Sequence, residues 1–246
     1  MTPHVFPDAR QVAAFVADQI QTLLVEKQDA ALGLATGGTM VPIYDELTRR
    51  YDNGHLRLAP ASAYLLDEYV GLGCDDRQSY KRTIEQLLAS RTDLSAQRVH
   101  SPDGSADDLA TEARRYDRLV SEAKIDLQLL GIGGNGHLAF NEPGSSLASR
   151  TRPVELSPAT VSANSRFFPS IDAVPTMAIT QGLGTIRQAE LLILVAFGDA
   201  KSDAVRLALE GPITAMLPAS VVQLHENVVV VLDEAAASKL AVLHSA

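Results

Sequence analysis

A histidine and a carboxylate share one short, glycine-rich stretch of this chain, Gly131 to Arg152, which reads GIGGNGHLAFNEPGSSLASRTR. An imidazole titrates near neutrality, and a nearby carboxylate can orient it and stabilise its cation, so His137 and Glu142 are suited to proton transfer. The glycines around them let the backbone approach a ligand closely. A structural histidine held in a turn is the competing reading. It loses weight because this one lies among glycines at the end of an apolar run. The other histidines (His4, His55, His100, His225, His244) are scattered without zinc-ligand spacing, so no metal is expected.

Three further features could serve the same chemistry. Asp67, followed by Glu68, ends an apolar run; a partly buried carboxylate there could act as a general base, or equally as a turn-capping acid. Thr36-Gly37-Gly38-Thr39 joins a predicted strand to a predicted helix. Its free N–H groups, the positive helix end and two hydroxyls suit a phosphate, although on motif alone a tight turn with a threonine cap is favoured. The segment Gly198 to Lys201 follows another strand. Lys201 and Arg166 could neutralise a phosphate, whereas each alone reads as a solvated surface cation.

Other chemistries fail on spacing. Gly131-x-Gly133-x-x-Gly136 matches the dinucleotide fingerprint in form, but Pro143-Gly144 breaks the helix that must open directly after it, so no nicotinamide cofactor is expected. There is no Gly-x4-Gly-Lys phosphate loop and no Gly-x-Ser-x-Gly elbow. Cys74 is a poor nucleophile, since Asp75 and Asp76 disfavour its thiolate.

The elements that must position these groups alternate. Asp8 caps a helix whose Val12, Phe15, Val16, Ile20, Leu23 and Leu24 share a face, and a strand follows at Ala30 to Ala35. Ile43, Tyr44, Leu47 and Tyr51 mark a second helix, Ser62 to Leu66 a strand, and Ser79 the cap of a helix through Ala89. A short strand is predicted at Arg98 to Ser101 and a long helix from about Asp107 to Ala123, with Leu109, Ala113, Tyr116 and Val120 inward. Strands are predicted at Asp126 to Ile132, Thr176 to Thr180, Glu190 to Phe197 and Val228 to Leu232, with a helix from Asp199 to Glu210 and another running to the C-terminus. The fold class is therefore α/β: mostly continuous apolar strands in a largely parallel sheet with helices on both faces. In such a sheet ligands sit outside the carboxyl ends of the strands, where all four features fall. Leu156 to Val174 has weak pattern and two prolines; it reads as a lid, or equally as a plain connection or short helix pair.

The bulk properties set the frame. A chain of 246 residues can bury a sizeable core, and a net charge of -9 argues against nucleic acid as a partner without forbidding a small anion. One cysteine excludes an internal disulfide and fits a reducing compartment. The opening MTPHVFPDAR lacks a signal pattern, and the longest apolar runs, such as LLILVAF, are of strand length; a cytoplasmic protein with no membrane partner is expected.

Taken together, LGLATGGT, LLDEYVGLG, GNGHLAFNEPGSSLASRTR, SANSRFF, AFGDAK and QLHENVVVVLD resemble the glucosamine-6-phosphate deaminase family over nearly the whole chain. The broader superfamily includes 6-phosphogluconolactonases, which share a glycine-histidine loop but lack the Asn-Glu-Pro continuation and the SLASRTR run. The resemblance implies one domain over residues 1–246 with a modified Rossmann-like sheet and a lid at about 156–174. It implies no cofactor, a small sugar phosphate as substrate, and conversion of glucosamine 6-phosphate and water to fructose 6-phosphate and ammonia. By position it makes Asp67 the base that moves the C2 proton to C1, His137 the ring-opening residue and Glu142 its supporting acid. Thr36, Gly37, Gly38, Thr39, Arg166 and Lys201 become the phosphate cradle. Asn135 stands where many members carry aspartate, so His137 is expected to be less basic than theirs. Ser145, Ser146 and Arg152 match an allosteric site of hexameric members, but Val154 replaces its lysine, so no allosteric activation is expected. A galactosamine-6-phosphate deaminase, a 6-phosphogluconolactonase and a non-catalytic sugar-phosphate sensor are the alternatives. Monomer and homo-oligomer are left open.

Overall fold

The computed structural model describes residues 2–73 and 75–241. Cys74 lies outside the described residues, and the helix predicted to run to the C-terminus is instead a short one that ends at Ala237, with turns following it to residue 241. The elements run β1 (His4–Phe6), α1 (Ala9–Glu26), β2 (Ala31–Leu34), α2 (Val41–Asp52), β3 (Ser62–Leu65), β4 (Asp67–Tyr69), α3 (Tyr80–Leu87), β5 (Val99–His100) and α4 (Leu109–Ala123). Then come β6 (Leu127–Gly131), β7 (Arg152–Glu155), α5 (Pro158–Asn164), β8 (Met177–Thr180), α6 (Leu183–Ile186), β9 (Leu192–Ala196), α7 (Ser202–Glu210), β10 (Val228–Asp233) and α8 (Glu234–Ala237).

Local chemistry sets the helix starts. The Asp8 carboxylate accepts from Gln11 N at α1, Ser79 from Arg82 N at α3, and Asp108 from Thr111 N at α4. On α1, Val12, Val16, Ile20 and Leu24 are buried, which is the face their spacing predicts. Strands β2 and β9 are buried along their whole length, as apolar runs covered on both faces must be.

Seven strands form one sheet in the order β1-β10-β9-β6-β2-β3-β5, every neighbouring pair parallel. From β2 the chain steps outward through β3 to β5, then returns to β6 on the other side of β2 and continues to β9 and β10. The order therefore reverses between β2 and β6, and a crevice opens there at the carboxyl ends of the strands.

One expectation is corrected. The run ending at Thr180 does not join the parallel sheet: β8 lies between β4 and β7 in a separate antiparallel sheet, with Asp67 opposite Thr180 and Thr180 opposite Arg152. Pro153 is tolerated because β7 is an edge strand.

Half of the SLASRTR run is architectural. Asp117 on α4 accepts from Thr151 N (3.1 Å), Thr151 Oγ1 (2.7 Å), Thr185 Oγ1 (2.7 Å) and Arg150 Nη2 (2.7 Å), tying that run to α4 and α6. The tie is close: a Cβ on Gly182 would lie 2.2 Å from the Ser149 carbonyl oxygen.

Candidate active site

A cleft of about 720 Å³ opens at the switch point, and nine of the ten residues expected in the site line it: Thr36, Gly37, Gly38, Thr39, Asp67, Asn135, His137, Arg166 and Lys201. Glu142, the tenth, stands behind His137 and is not among the lining residues.

The β2 loop contributes backbone. Gly37 has φ +97°, a left-handed conformation open to glycine, and α2 begins beyond it with no side-chain cap. Arg166 comes from a 3-10 turn after α5, and Lys201 from a 3-10 turn before α7. Burial holds the Lys201 ammonium below its ordinary pKa, and Arg166 adds to that. No salt bridge pairs either cation with a carboxylate among the described residues; Arg166 lies 4.7 Å from the centre of the Phe167 ring. Two cations brought together without a counter-ion favour an anionic ligand. The turn carrying Lys201 is pinned by Asp233, whose carboxylate accepts from Gly198 N (3.0 Å) and from Ala236 N at the start of α8 (2.7 Å).

The two adjacent acids on β4 have different fates, because successive side chains of a strand point to opposite faces. Glu68 is buried and accepts from three backbone amides, Tyr69 N, Tyr80 N and Lys81 N, at 2.9–3.0 Å, anchoring β4 to the start of α3. The capping role weighed for Asp67 thus belongs to Glu68. Asp67 lines the cleft with no hydrogen-bond partner among the described residues, and burial, with a smaller push from Glu68, raises its carboxyl to about 8.

His137 packs onto bare backbone: a Cβ on Gly133 would lie 2.3 Å from its Nδ1. Asn135 sits between the histidine and the acid. Its amide donates to Glu142 Oε2 (2.7 Å), and its Oδ1 lies 2.8 Å from His137 Nδ1. The direct Nδ1–Oε2 distance is 3.9 Å, so the contact expected between His137 and Glu142 runs through Asn135. An ionised carboxylate only accepts, so the NH₂ group of Asn135 must face Glu142 and its oxygen the ring. That oxygen requires a proton on Nδ1 and leaves Nε2 as the acceptor. Burial lowers the His137 pKa, with Lys201 assisting and Glu142 opposing, so the ring is neutral at neutral pH.

Sequence reasoning read residues 156–174 as a lid, a plain connection or a short helix pair, and missed the aromatic wall and the bonds that this segment makes. Tyr69 packs against Tyr80, Phe140 and Phe168, with ring centres 4.8–5.6 Å apart. The 156–174 segment holds α5 and two 3-10 turns; from it Asn164 donates to Tyr69 Oη (2.9 Å), and Ser157 and Thr160 donate to Glu142 Oε1. Ser157-Pro158 is a readable helix start, since Ser157 accepts from Thr160 N, but nothing in the sequence announces its acidic partner. Elsewhere, Arg152 donates to Asn141 Oδ1 (2.9 Å) and Ser145 Oγ (3.2 Å), and Val154 lies in β7. Among the described residues no group of three His, Cys, Asp or Glu side chains is placed to hold a metal ion, and no helix is long and apolar enough to cross a membrane.

Comparison with known proteins places this geometry. Residues 8–231 match the family described as glucosamine-6-phosphate isomerases/6-phosphogluconolactonase. The chain is 47% identical over 238 residues to a glucosamine-6-phosphate deaminase of Mycolicibacterium smegmatis, covering 96% of this chain and 91% of that one. It is 45% identical to one of Rhodopirellula baltica, with 96% and 94% covered. Among solved structures, a monomeric glucosamine-6-phosphate deaminase superposes with TM-score 0.94 at 42% identity, over 97% of this chain and all of the other. The 6-phosphogluconolactonase of Trypanosoma brucei superposes with TM-score 0.75 at 21% identity, over 98% and 99% of the two chains, a likeness of fold alone.

Proposed function

This chain belongs to the family of glucosamine-6-phosphate isomerases and 6-phosphogluconolactonases, and we propose that it is a glucosamine-6-phosphate deaminase working through Asp67 and His137. The observation that carries the reading is an unpartnered, buried carboxylate sharing one cleft with a neutral imidazole and two unpaired cations. Isomerisation needs one base to carry a proton from carbon to carbon and a second group to open the ring, whereas lactone hydrolysis needs only one group to activate water. Relatives at 47–49% identity that are named glucosamine-6-phosphate deaminases support it.

Lys201, Arg166 and the Thr36–Thr39 loop hold the phosphate, and this remote binding orients the reacting carbons. His137 Nε2 takes the proton of the anomeric hydroxyl and gives one to the ring oxygen, opening the pyranose to the aldehyde. Asn135 keeps the opposite nitrogen protonated, and Glu142 holds Asn135. Asp67 then takes the C2 proton and returns it to C1, while one N–H proton of the C2 ammonium passes to O1, so the carbonyl becomes a hydroxyl and an iminium is left at C2. Water adds there and ammonia leaves, giving fructose 6-phosphate. The whole chain acts as one domain in the cytoplasm, with residues 156–174 as its mobile cover.

Incubation of the purified protein with glucosamine 6-phosphate, galactosamine 6-phosphate and 6-phosphogluconolactone tests this directly. Ammonia and fructose 6-phosphate in equal amounts from the first are expected; acid release from the lactone without ammonia from either amino sugar overturns it. Lys201→Met is expected to raise KM for glucosamine 6-phosphate about 10- to 100-fold with a smaller change in kcat, since a charge-assisted contact to the phosphate is lost. An unmoved KM removes Lys201 from the cradle. In Asn135→Asp a negative charge replaces a dipole beside Nδ1, so the His137 pKa rises. An NMR titration of the imidazole unchanged by that substitution contradicts the relay drawn here.

A further inference from the structure

The carboxylate of Glu142 is held from both sides. Oε2 accepts from Asn135 Nδ2 at 2.7 Å, and Oε1 accepts from Thr160 Oγ1 and, at 3.3 Å, from Ser157 Oγ. Ser157 is the N-cap of α5 and Thr160 lies in its first turn, in a segment that lines the cleft. Ser157 Oγ caps α5 by accepting from Thr160 N at 3.1 Å and donates to Thr160 Oγ1 at 3.0 Å, so cap and acid meet at the Thr160 hydroxyl. The Thr160 side chain is buried at 8% exposure, and its proton goes to the acid. The far end of the same helix is fastened to the strand that carries Asp67, through Asn164 and Tyr69. A short helix thus bridges the two halves of the chemistry.

We infer that Thr160 is a positioning residue: with α5 seated on the cleft, its hydroxyl fixes Glu142, and through Asn135 the ring of His137, in the orientation that opens the sugar. With α5 lifted, Glu142 loses its Oε1 donors and the His137–Asn135–Glu142 chain loses one of its two anchors. Ring opening is thereby tied to closure, and an open site does not start chemistry it cannot shield from water. This inference rests on the reading of Glu142 as the acid behind His137.

The test compares Thr160→Val, which keeps shape without the hydroxyl, with Thr160→Ser, which keeps the hydroxyl, and with Glu142→Gln. Expected for Thr160→Val is a kcat about 10- to 100-fold lower, the loss of one hydrogen bond to a charged group. Its affinity for glucitol 6-phosphate, an acyclic probe that needs no ring opening, stays within about threefold by the same reasoning. Thr160→Ser restores kcat to within a few-fold, and Thr160→Val added to Glu142→Gln costs nothing more. Full kcat in Thr160→Val, or a serine variant as slow as the valine one, overturns the inference. If Glu142→Gln itself keeps full kcat, the reading beneath it fails instead. Melting curves of each variant separate a folding defect from these outcomes.

Discussion

Asp67→Asn is expected to abolish turnover and to stabilise the protein, both effects arising from the burial of one carboxylate. Ammonia release from glucosamine 6-phosphate should fall by about 10³-fold or more, since the amide cannot accept the C2 proton. The stability gain follows from linkage. The folded protein holds this proton up to about pH 8, whereas the ordinary value is 3.8. Between those two values the folded state binds more protons than the unfolded state, so stability falls as pH rises, and above about 8 the full cost of a buried charge is felt. Asparagine carries no such cost. Thermal melts of the variant should lie above wild type at pH 8, by an equivalent of about 2–5 kcal/mol, and the gap should close as pH falls toward 4. The same proton shapes catalysis: wild-type kcat/KM should drop as pH falls through about 8, because only the ionised carboxylate is a base. Coincident melts at pH 8 contradict the buried charge, and undiminished ammonia release contradicts the base.

His137→Gln is the second large effect. The imidazole is held with Nδ1 protonated and Nε2 free, the form that can both take and return a proton. A glutamine amide does neither, so kcat should fall about 10²- to 10⁴-fold. KM should move only a few-fold, because Lys201, Arg166 and the glycine loop still hold the phosphate. Gly133→Ala should behave as a weaker version of the same lesion, since the added methyl occupies the space of the ring. Steady-state kinetics decide the matter: a His137→Gln enzyme with wild-type kcat would show that ring opening needs no help from this residue.

What could be read from the sequence was whatever depends on near neighbours. The Asp8 and Ser79 caps, the apolar faces of α1 and α4 and the buried runs of β2, β6 and β9 all follow from local periodicity and local hydrogen bonding. So did the clustering of site residues, because parallel strands bring their carboxyl ends to one edge. The antiparallel sheet was hidden. Met177–Thr180 has the same apolar pattern as a strand of the main sheet, and periodicity does not say which partner a strand will find. Arg152–Glu155 carries a proline and two charges, and no strand is predicted there. Within the site, residue types were legible and their wiring was not. Asn135 was seen as a missing carboxylate, whereas its amide is the bridge between ring and acid. Glu68 and Asp67 were indistinguishable until the strand turned one to the α3 amides and the other to the cleft. Thr160 and Asp233 act across the fold on groups distant in sequence, where no spacing rule reaches.

The small sheet has a consequence for how this protein comes apart. Strand β8 bonds on one side to the strand that begins with Asp67 and on the other to the strand that leads into the cover. Base and cover therefore share one set of backbone hydrogen bonds, separate from the seven-stranded sheet. A local opening that frees β8 strips β4 and β7 of their shared backbone bonds at once, leaving β4 tied to α3 through Glu68. The Thr36–Thr39 loop after β2 and His137 beyond β6 rest on the main sheet, so the proposed base and cover lose a common support that the proposed phosphate loop and histidine do not share.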